Sequence, residues 1–337
     1  MASNMSHKLG RRAFVGASAA AAATLAAPGL LVAQARGEEI SVTHWGALMY
    51  GTPYAVAMER GLFRQAGINI TGILTSKGGA TTVRNVLAGG LPYGEVSMAA
   101  ALSAIREGLD IKIVNLGVRS VADTLWVTMP NSDIRTIQDL RGKKMAITSP
   151  KSVTDMLSTM VLEASNIPLD AIERPALGSI GAGLTALEGG AVQAASILDP
   201  IWSARATRYR PVFFTKDILP PMAQTVGIAT SEFIRREPNK LRAIIHGRRL
   251  GVDWTLANAD AAGAIMAKHY DNLPDAVAQR AVRNMTEIQY WSAGRFEFDA
   301  MNRFARGLQI IGELQGNPEW PRLVDNSFLP DDLKVAA

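Results

Sequence analysis

The 337-residue chain contains no cysteine. That excludes disulfides, a thiol nucleophile and any cysteine metal site. Histidine is scarce, and His44, His246 and His269 fall at no metal-ligand spacing. No Ser-His-Asp order, G-x-S-x-G, P-loop or strand-following G-x-G-x-x-G is present. Gly181-Ala182-Gly183 offers two glycines and lacks the rest of a dinucleotide fingerprint. Beyond the N-terminal segment, no apolar stretch reaches membrane-spanning length.

What is present is a globular composition, 48% hydrophobic and 19% charged, long enough for two units with real cores. Residues 1–35 stand apart. They carry Lys8, Arg11 and Arg12 and no acid, then an Ala-rich run, Ala13 to Ala27, and the small-residue pattern Ala33-Gln34-Ala35. These are the basic, apolar and cleavage regions of an export signal. Gly10-Arg11-Arg12-Ala13-Phe14-Val15 resembles a twin-arginine signal, although the Ser or Thr often found before the arginine pair is missing, which leaves the general secretory route open. No cysteine lies near the cleavage region, so a lipoprotein anchor is excluded. Removing this segment takes three positive charges from the formal +5 and leaves +2. A nearly balanced surface gives no support for nucleic-acid binding. An exported chain without disulfides relies on its core.

The remaining chain alternates strand-like and helix-like segments. Ile40–Thr43 reads as a strand, Tyr54–Arg60 as a helix, the run to Leu74 as a second strand, and the run from Ser76 as a helix stopped by Gly89-Gly90. A second series begins near Leu125, and after Thr225–Thr230 the chain is mostly helical, over 232–257, 258–270, 274–290 and 297–315. This spacing predicts parallel, wound α/β sheets. One pattern occurs twice. Gly79 to Gly90 and Gly181 to Gly190 each read as a glycine-started helix closed by Leu-x-Gly-Gly and followed by a short apolar strand. Two copies, one per series, indicate two lobes of like construction. The most informative turn is Ser149–Asp155, where Ser152 and Asp155 have the spacing of a capping box with Asp for Glu. A helix that starts straight after a strand aims its free N–H groups beyond the strand end, which favours a small anion.

The ordered words Pro53–Phe63, Gly78-Gly79, Leu87-Ala88-Gly89-Gly90, Ile137–Lys144, Leu187–Gly190, Asp199-Pro200 and Val324–Pro330 resemble the periplasmic substrate-binding proteins of ABC importers. The group in question handles sulfonates, taurine, nitrate and pyrimidine precursors of thiamine. The resemblance implies an α/β, two-lobed type II periplasmic-binding-protein fold with two hinge crossovers and extra C-terminal helices on lobe 1. The crossings fall near Val121–Leu125 and Thr225–Thr230, giving lobe 1 as 38–124 plus 227–337 and lobe 2 as 125–226. It implies no chemistry and no cofactor: a monomer holds a small-molecule solute, an organic anion or zwitterion, and presents its closed form to an ABC permease of the inner membrane.

The expected pocket is lined by loops after strands. Lobe 1 contributes Trp45 and Gly46, then Ser76, Gly78 and Gly79, then Ala99. Lobe 2 contributes Ser149, Ser152, Val153, Thr154 and Asp199, with Thr124 at the first crossing. Trp45 is placed to stack on a planar ligand part, and Ser152 and Thr154 to give hydroxyls to an anion or simply to cap. Asp199 opposes a simple anion. It suits a donor group, a contact to the opposite lobe, or an Asp-Pro turn open to solvent. Two other functions fit the same fold: a sensory ligand-binding subunit, and an enzyme like the thiamine pyrimidine synthase. The missing cysteines and the export signal weigh against the enzyme.

Overall fold

The computed structural model describes residues 37–335, and the expected export signal lies outside them. In chain order its strands are β1 (Glu38–Thr43), β2 (Ile70–Ser76), β3 (Gly94–Ser97), β4 (Ile111–Val118), β5 (Leu125–Thr128), β6 (Met145–Ala146), β7 (Ala194–Ile197), β8 (Arg210–Phe214) and β9 (Thr225–Thr230). They form a five-stranded sheet of order β2-β1-β3-β9-β4 and a four-stranded sheet of order β6-β7-β5-β8. The chain leaves the first sheet after β4 and returns to it as β9.

Those two crossings explain why the sheets are mixed and not parallel throughout. β1 runs parallel to β2 and β3, as βαβ units require. β9 arrives from the other sheet and lies antiparallel to both β3 and β4. β5, arriving the opposite way, is antiparallel to β7 and β8, whereas β6 is parallel to β7. The stretch Glu173–Leu177 makes only two isolated parallel bridges beside β6. Pro175 has no N–H to give, and its carbonyl accepts from Ile147 N–H.

The repeated Leu-x-Gly-Gly pattern occupies equivalent places. The helices Gly79–Ala88 and Ile180–Glu188 stop at glycine pairs and turn into β3 and β7. Gly90 and Gly190 adopt φ of +66° and +75°, a region that side chains avoid. Each of these two strands lies between a parallel neighbour and an antiparallel incoming strand.

The late helical section caps the first sheet. The long helix expected over 232–257 is two helices, Ser231–Arg236 and Pro238–Ala257, because Pro238 cannot continue the ladder of the turn before it. Gly251 of the second comes so near Pro53 that an added Cβ would lie 2.2 Å from the Pro53 carbonyl oxygen. The helix Phe298–Ile310 also reaches the second sheet's side. It packs on the helix Val153–Ala164, where a Cβ on Gly307 would lie 2.7 Å from the sulfurs of Met156 and Met160. Among the described residues no helix is long and apolar enough to cross a membrane.

The first sheet and its helices are pinned by a buried ion pair. Arg248 Nε lies 3.0 Å from Glu95 Oε2, and both residues are 1% exposed. The guanidinium also donates to the carbonyls of Ser292 and Gly117, each at 2.7 Å. Tyr54 and Thr225 hydroxyls donate to the two Glu95 oxygens at 2.5 and 2.7 Å. Burial works against the Arg248 cation, but Glu95 beside it holds the pKa above the ordinary arginine value.

Candidate functional site

The two crossings are tied to each other side by side. Thr215 Oγ1 lies 2.8 and 2.7 Å from the carbonyls of Val121 and Thr124, its one proton shared between them, and Gln224 N–H donates to the Val118 carbonyl at 2.8 Å. Thr124, expected to touch ligand, is buried, and its carbonyl is spent on this tie. Its neighbour Asp123 is the residue that lines a cavity.

That cavity, of about 220 Å3, lies between the crossing residues Ala122 and Asp123, the β7 end with Asp199 and Trp202, the β8 end with Phe214 and Lys216, and the helix Asp275–Glu287 with Asn284. Ligand pockets commonly measure about 300–1,000 Å3, so this one suits a compact solute. Asp199 is 2% exposed, and Asp123 is 5% exposed. Ser203 N–H donates to Asp199 Oδ1 at 2.9 Å, and Asn284 Nδ2 donates to Oδ2 at 3.0 Å. Asn284 thus links the second sheet's edge to a C-terminal helix. Arg280 of that helix adds a bond to the Ser203 carbonyl at 3.2 Å.

Asp123 has poorer partners. Thr124 Oγ1 is 3.4 Å from one oxygen. The Tyr290 hydroxyl is 3.2 Å from the other and 3.0 Å from Gln224 Oε1. One phenolic proton serves only one acceptor at a time. A protonated Asp123 resolves this, donating to Tyr290 while Tyr290 donates to Gln224. Burial first, and then the Asp199 charge, push the Asp123 carboxyl up to about 7, against the Tyr290 hydrogen bond. Burial likewise raises Asp199, opposed by its bonds from Ser203 and Asn284. Neither acid makes an ion pair among the described residues.

The helix N-termini expected to form the pocket are built otherwise. Ser152 caps Val153–Ala164 by accepting from Asp155 N–H at 3.2 Å. The return bond of a capping box is displaced by one residue: Asp155 accepts from Lys151 N–H at 2.8 Å, with Lys151 at φ +63°. Ser152 and Thr154 hydroxyls lie 2.9 Å apart, Thr148 Oγ1 is within 3.0 Å of both, and Thr154 also accepts from Thr148 N–H. Those hydroxyls bond one another, the capping role that the sequence also allowed. Ser149 is exposed and Val153 half-buried beside them.

On the first sheet, Ser76 is spent in the same way, 2.5 Å from Thr82 Oγ1 and donating to the Gly78 carbonyl. Gly79 and Ala99 belong to neighbouring helix starts. A Cβ on Gly79 would lie 2.4 Å from the Ala100 Cβ, so the two starts meet only because Gly79 has none. Ala99 itself lies in the first turn of the helix Met98–Arg106 and not in a loop. Trp45 does not line the cavity. Positive φ at His44 and Gly46 reverses the chain, and the indole packs on His269 and Tyr270 with ring centroids 5.6 and 6.1 Å away. Of the residues expected from sequence, Asp199 alone lines the cavity. Asp123, Trp202, Phe214 and Asn284 were missed. For Asp123 there was a usable signal, a lone carboxylate inside the apolar run Val121–Val127.

The chain resembles known proteins over most of its length. A family model described as NMT1/THI5 like matches residues 49–262. No curated protein matches. Among solved structures, the periplasmic aliphatic sulphonate-binding protein SsuA from Escherichia coli superposes with a TM-score of 0.71 at 15% identity, covering 86% of this chain and 92% of its own. The alkanesulfonate-binding protein SsuA from Xanthomonas axonopodis pv. citri, bound to MOPS, gives 0.66 at 15% identity, with 86% and 98% covered. A putative sulfonate ABC transporter's SsuA from Methylobacillus flagellatus KT gives 0.66 at 17%, with 87% and 93% covered. The fold is that of the periplasmic binding proteins, of the type seen in the sulfonate-binding components of ABC importers. The family match spans well over half of the chain, and the protein belongs to the NMT1/THI5-like family.

Proposed function

We propose that this is an exported, periplasmic solute-binding protein that delivers a small molecule to an ABC permease and catalyses no reaction. The observation that carries it is the cavity at the crossings, walled by the first crossing, by the ends of β7 and β8 of the second sheet and by a C-terminal helix. Such a cavity changes shape when two lobes rotate about their crossings, which is how a ligand shifts a clamp toward its closed state. The lobes in this proposal are 38–124 with 227–337, and 125–226. The N-terminal segment, with its arginine pair, supports export. The likeness to solved sulfonate-binding proteins supports the transport role.

Of the ligands the family resemblance implies, the cavity favours a zwitterion over a bare sulfonate or carboxylate. Asp123, Asp199 and Glu287 line it against one ammonium, Lys216. An acidic ligand group would sit toward Lys216, and a donor toward the aspartates.

A thermal-melt screen of the dialysed mature protein against amino sulfonates, amino carboxylates, sulfonates and pyrimidines tests this. A zwitterion raises Tm in a saturable, one-to-one manner, and X-ray scattering records contraction on its addition. No shift with any compound, or a shift without contraction, counts against a clamp.

A further inference from the structure

The lining of the cavity is unlike that of a site for a lone anion. Two of its carboxylates are almost wholly buried and take hydrogen bonds only from neutral groups; the Arg280 charge lies near Asp199 without forming an ion pair with it. Beside them stand two aromatic rings. Trp202 and Phe214 meet edge to face, with centroids 6.5 Å apart and planes at 82°. Rings set at right angles make the corner of a cage, and a cation over their faces is held by the ring quadrupoles. The structure already contains such a contact: Lys216 Nζ lies 5.5 Å from the Phe214 centroid, at the rim, with no ion pair of its own among the described residues.

We propose that Asp123, Asp199, Trp202 and Phe214 form a recognition corner for a nitrogen-borne positive charge, an ammonium or amidinium group. This rests on the cavity being the solute site. The physics is a charge balance. A buried carboxylate without a counter-charge is costly, and the empty protein relieves the cost by holding a proton or by accepting neutral donors. A ligand ammonium supplies the missing charge and up to three donors, in a place where four carboxylate oxygens take hydrogen bonds only from neutral groups. Asn284 then serves twice. It holds Asp199 in position, and it joins the helix Asp275–Glu287 to the second sheet's edge on the same carboxylate that meets the ligand. Binding and closure therefore share one residue. Glu287 adds negative charge at the rim, and Arg280 is turned to the Ser203 carbonyl.

Calorimetric titration of the mature protein with benzylammonium, benzamidinium and benzenesulfonate, three probes of similar size, tests the assignment. The two cations bind one-to-one, and benzenesulfonate binds at least about tenfold more weakly, the scale set by a single charge-assisted hydrogen bond. Asp199→Asn weakens both cations about tenfold or more. Trp202→Ala weakens them roughly threefold to tenfold, as for a partly desolvated cation–π contact. Lys216→Glu, an exposed change that leaves the fold intact, tightens them, which keeps the test valid if Asp199→Asn fails to fold. Failure of both cations to bind, or tighter benzenesulfonate binding to wild type with a further gain in Asp199→Asn, overturns the assignment. The solute-binding function survives that outcome if any compound of the wider screen still gives a saturable shift with contraction, and falls with it if none does.

Discussion

Glu95, in β3, and Asp123, at the first crossing, are both buried acids, at 1% and 5% exposure. Glu95 has a guanidinium at 3.0 Å and two hydroxyl donors. Asp123 has a shared tyrosine proton and a weak threonine contact. The Glu95 cluster ties the helix Pro238–Ala257 to β3, β4 and β9. The Asp123 cluster opens on a cavity at the crossings. A buried charge that is fully paired fixes one arrangement of the chain. A buried charge left short of partners keeps a capacity to bind, and stability is given up to keep it.

Breaking the paired cluster has the largest expected effect. Arg248→Met leaves Glu95 buried without a cation and costs about 3–5 kcal/mol in urea unfolding, enough to prevent folding of a marginal chain. Glu95→Gln with Arg248→Met costs less than the Arg248 change alone, because no orphan charge remains.

The unpaired cluster responds to pH in the opposite sense to a salt-bridged acid. The Asp123 carboxyl titrates near 7 in the folded protein against an ordinary value of 3.8. Its folded form is favoured while protonated. Stability is retained below about pH 4 and lost as pH rises through 7, by about 4 kcal/mol in all at roughly 1.4 kcal/mol per unit. The raised Asp199 acts in the same direction. Ligand-free protein therefore melts at a higher temperature at pH 5 than at pH 8, and Asp123→Asn flattens that slope. A flat wild-type profile would place Asp123 in water.

Smaller effects separate the capped turn from the cavity. Ser152→Ala removes a cap bond and costs about 1 kcal/mol, with solute affinity unchanged, because its hydroxyl is already bound to its own turn. Lys151→Ala breaks the exposed pair with Glu313, 2.9 Å long, and changes stability by less than about 0.5 kcal/mol. A larger loss on chemical denaturation would make that pair a latch between the lobes.

The punctuation of the fold was legible in the chain because it is local. Glycine pairs after helices and strand ends before capped helices each act within a few residues, whereas the break at Pro238 was read through as one helix. Asp199 was legible for the same reason, as an acid and a proline directly after a buried strand. The other cavity walls were not. Asp123 is buried by Tyr290, 167 positions later, and Asp199 is held by Asn284, 85 positions later. The surroundings of Trp45 were not legible, because nothing near it in sequence reveals that His269 and Tyr270 come to rest against it. The hydroxyls at 148–154 and 76–82 do cluster, but clustered hydroxyls satisfy one another before they satisfy a ligand.

Native mass spectrometry of the protein freshly purified from its export compartment tests the central claim most directly. A single retained molecule carrying a basic nitrogen, bound one-to-one and lost in Asp199→Asn, is the predicted result. A nitrogen-free sulfonate or carboxylate, retained one-to-one and held as well by Asp199→Asn, would contradict it.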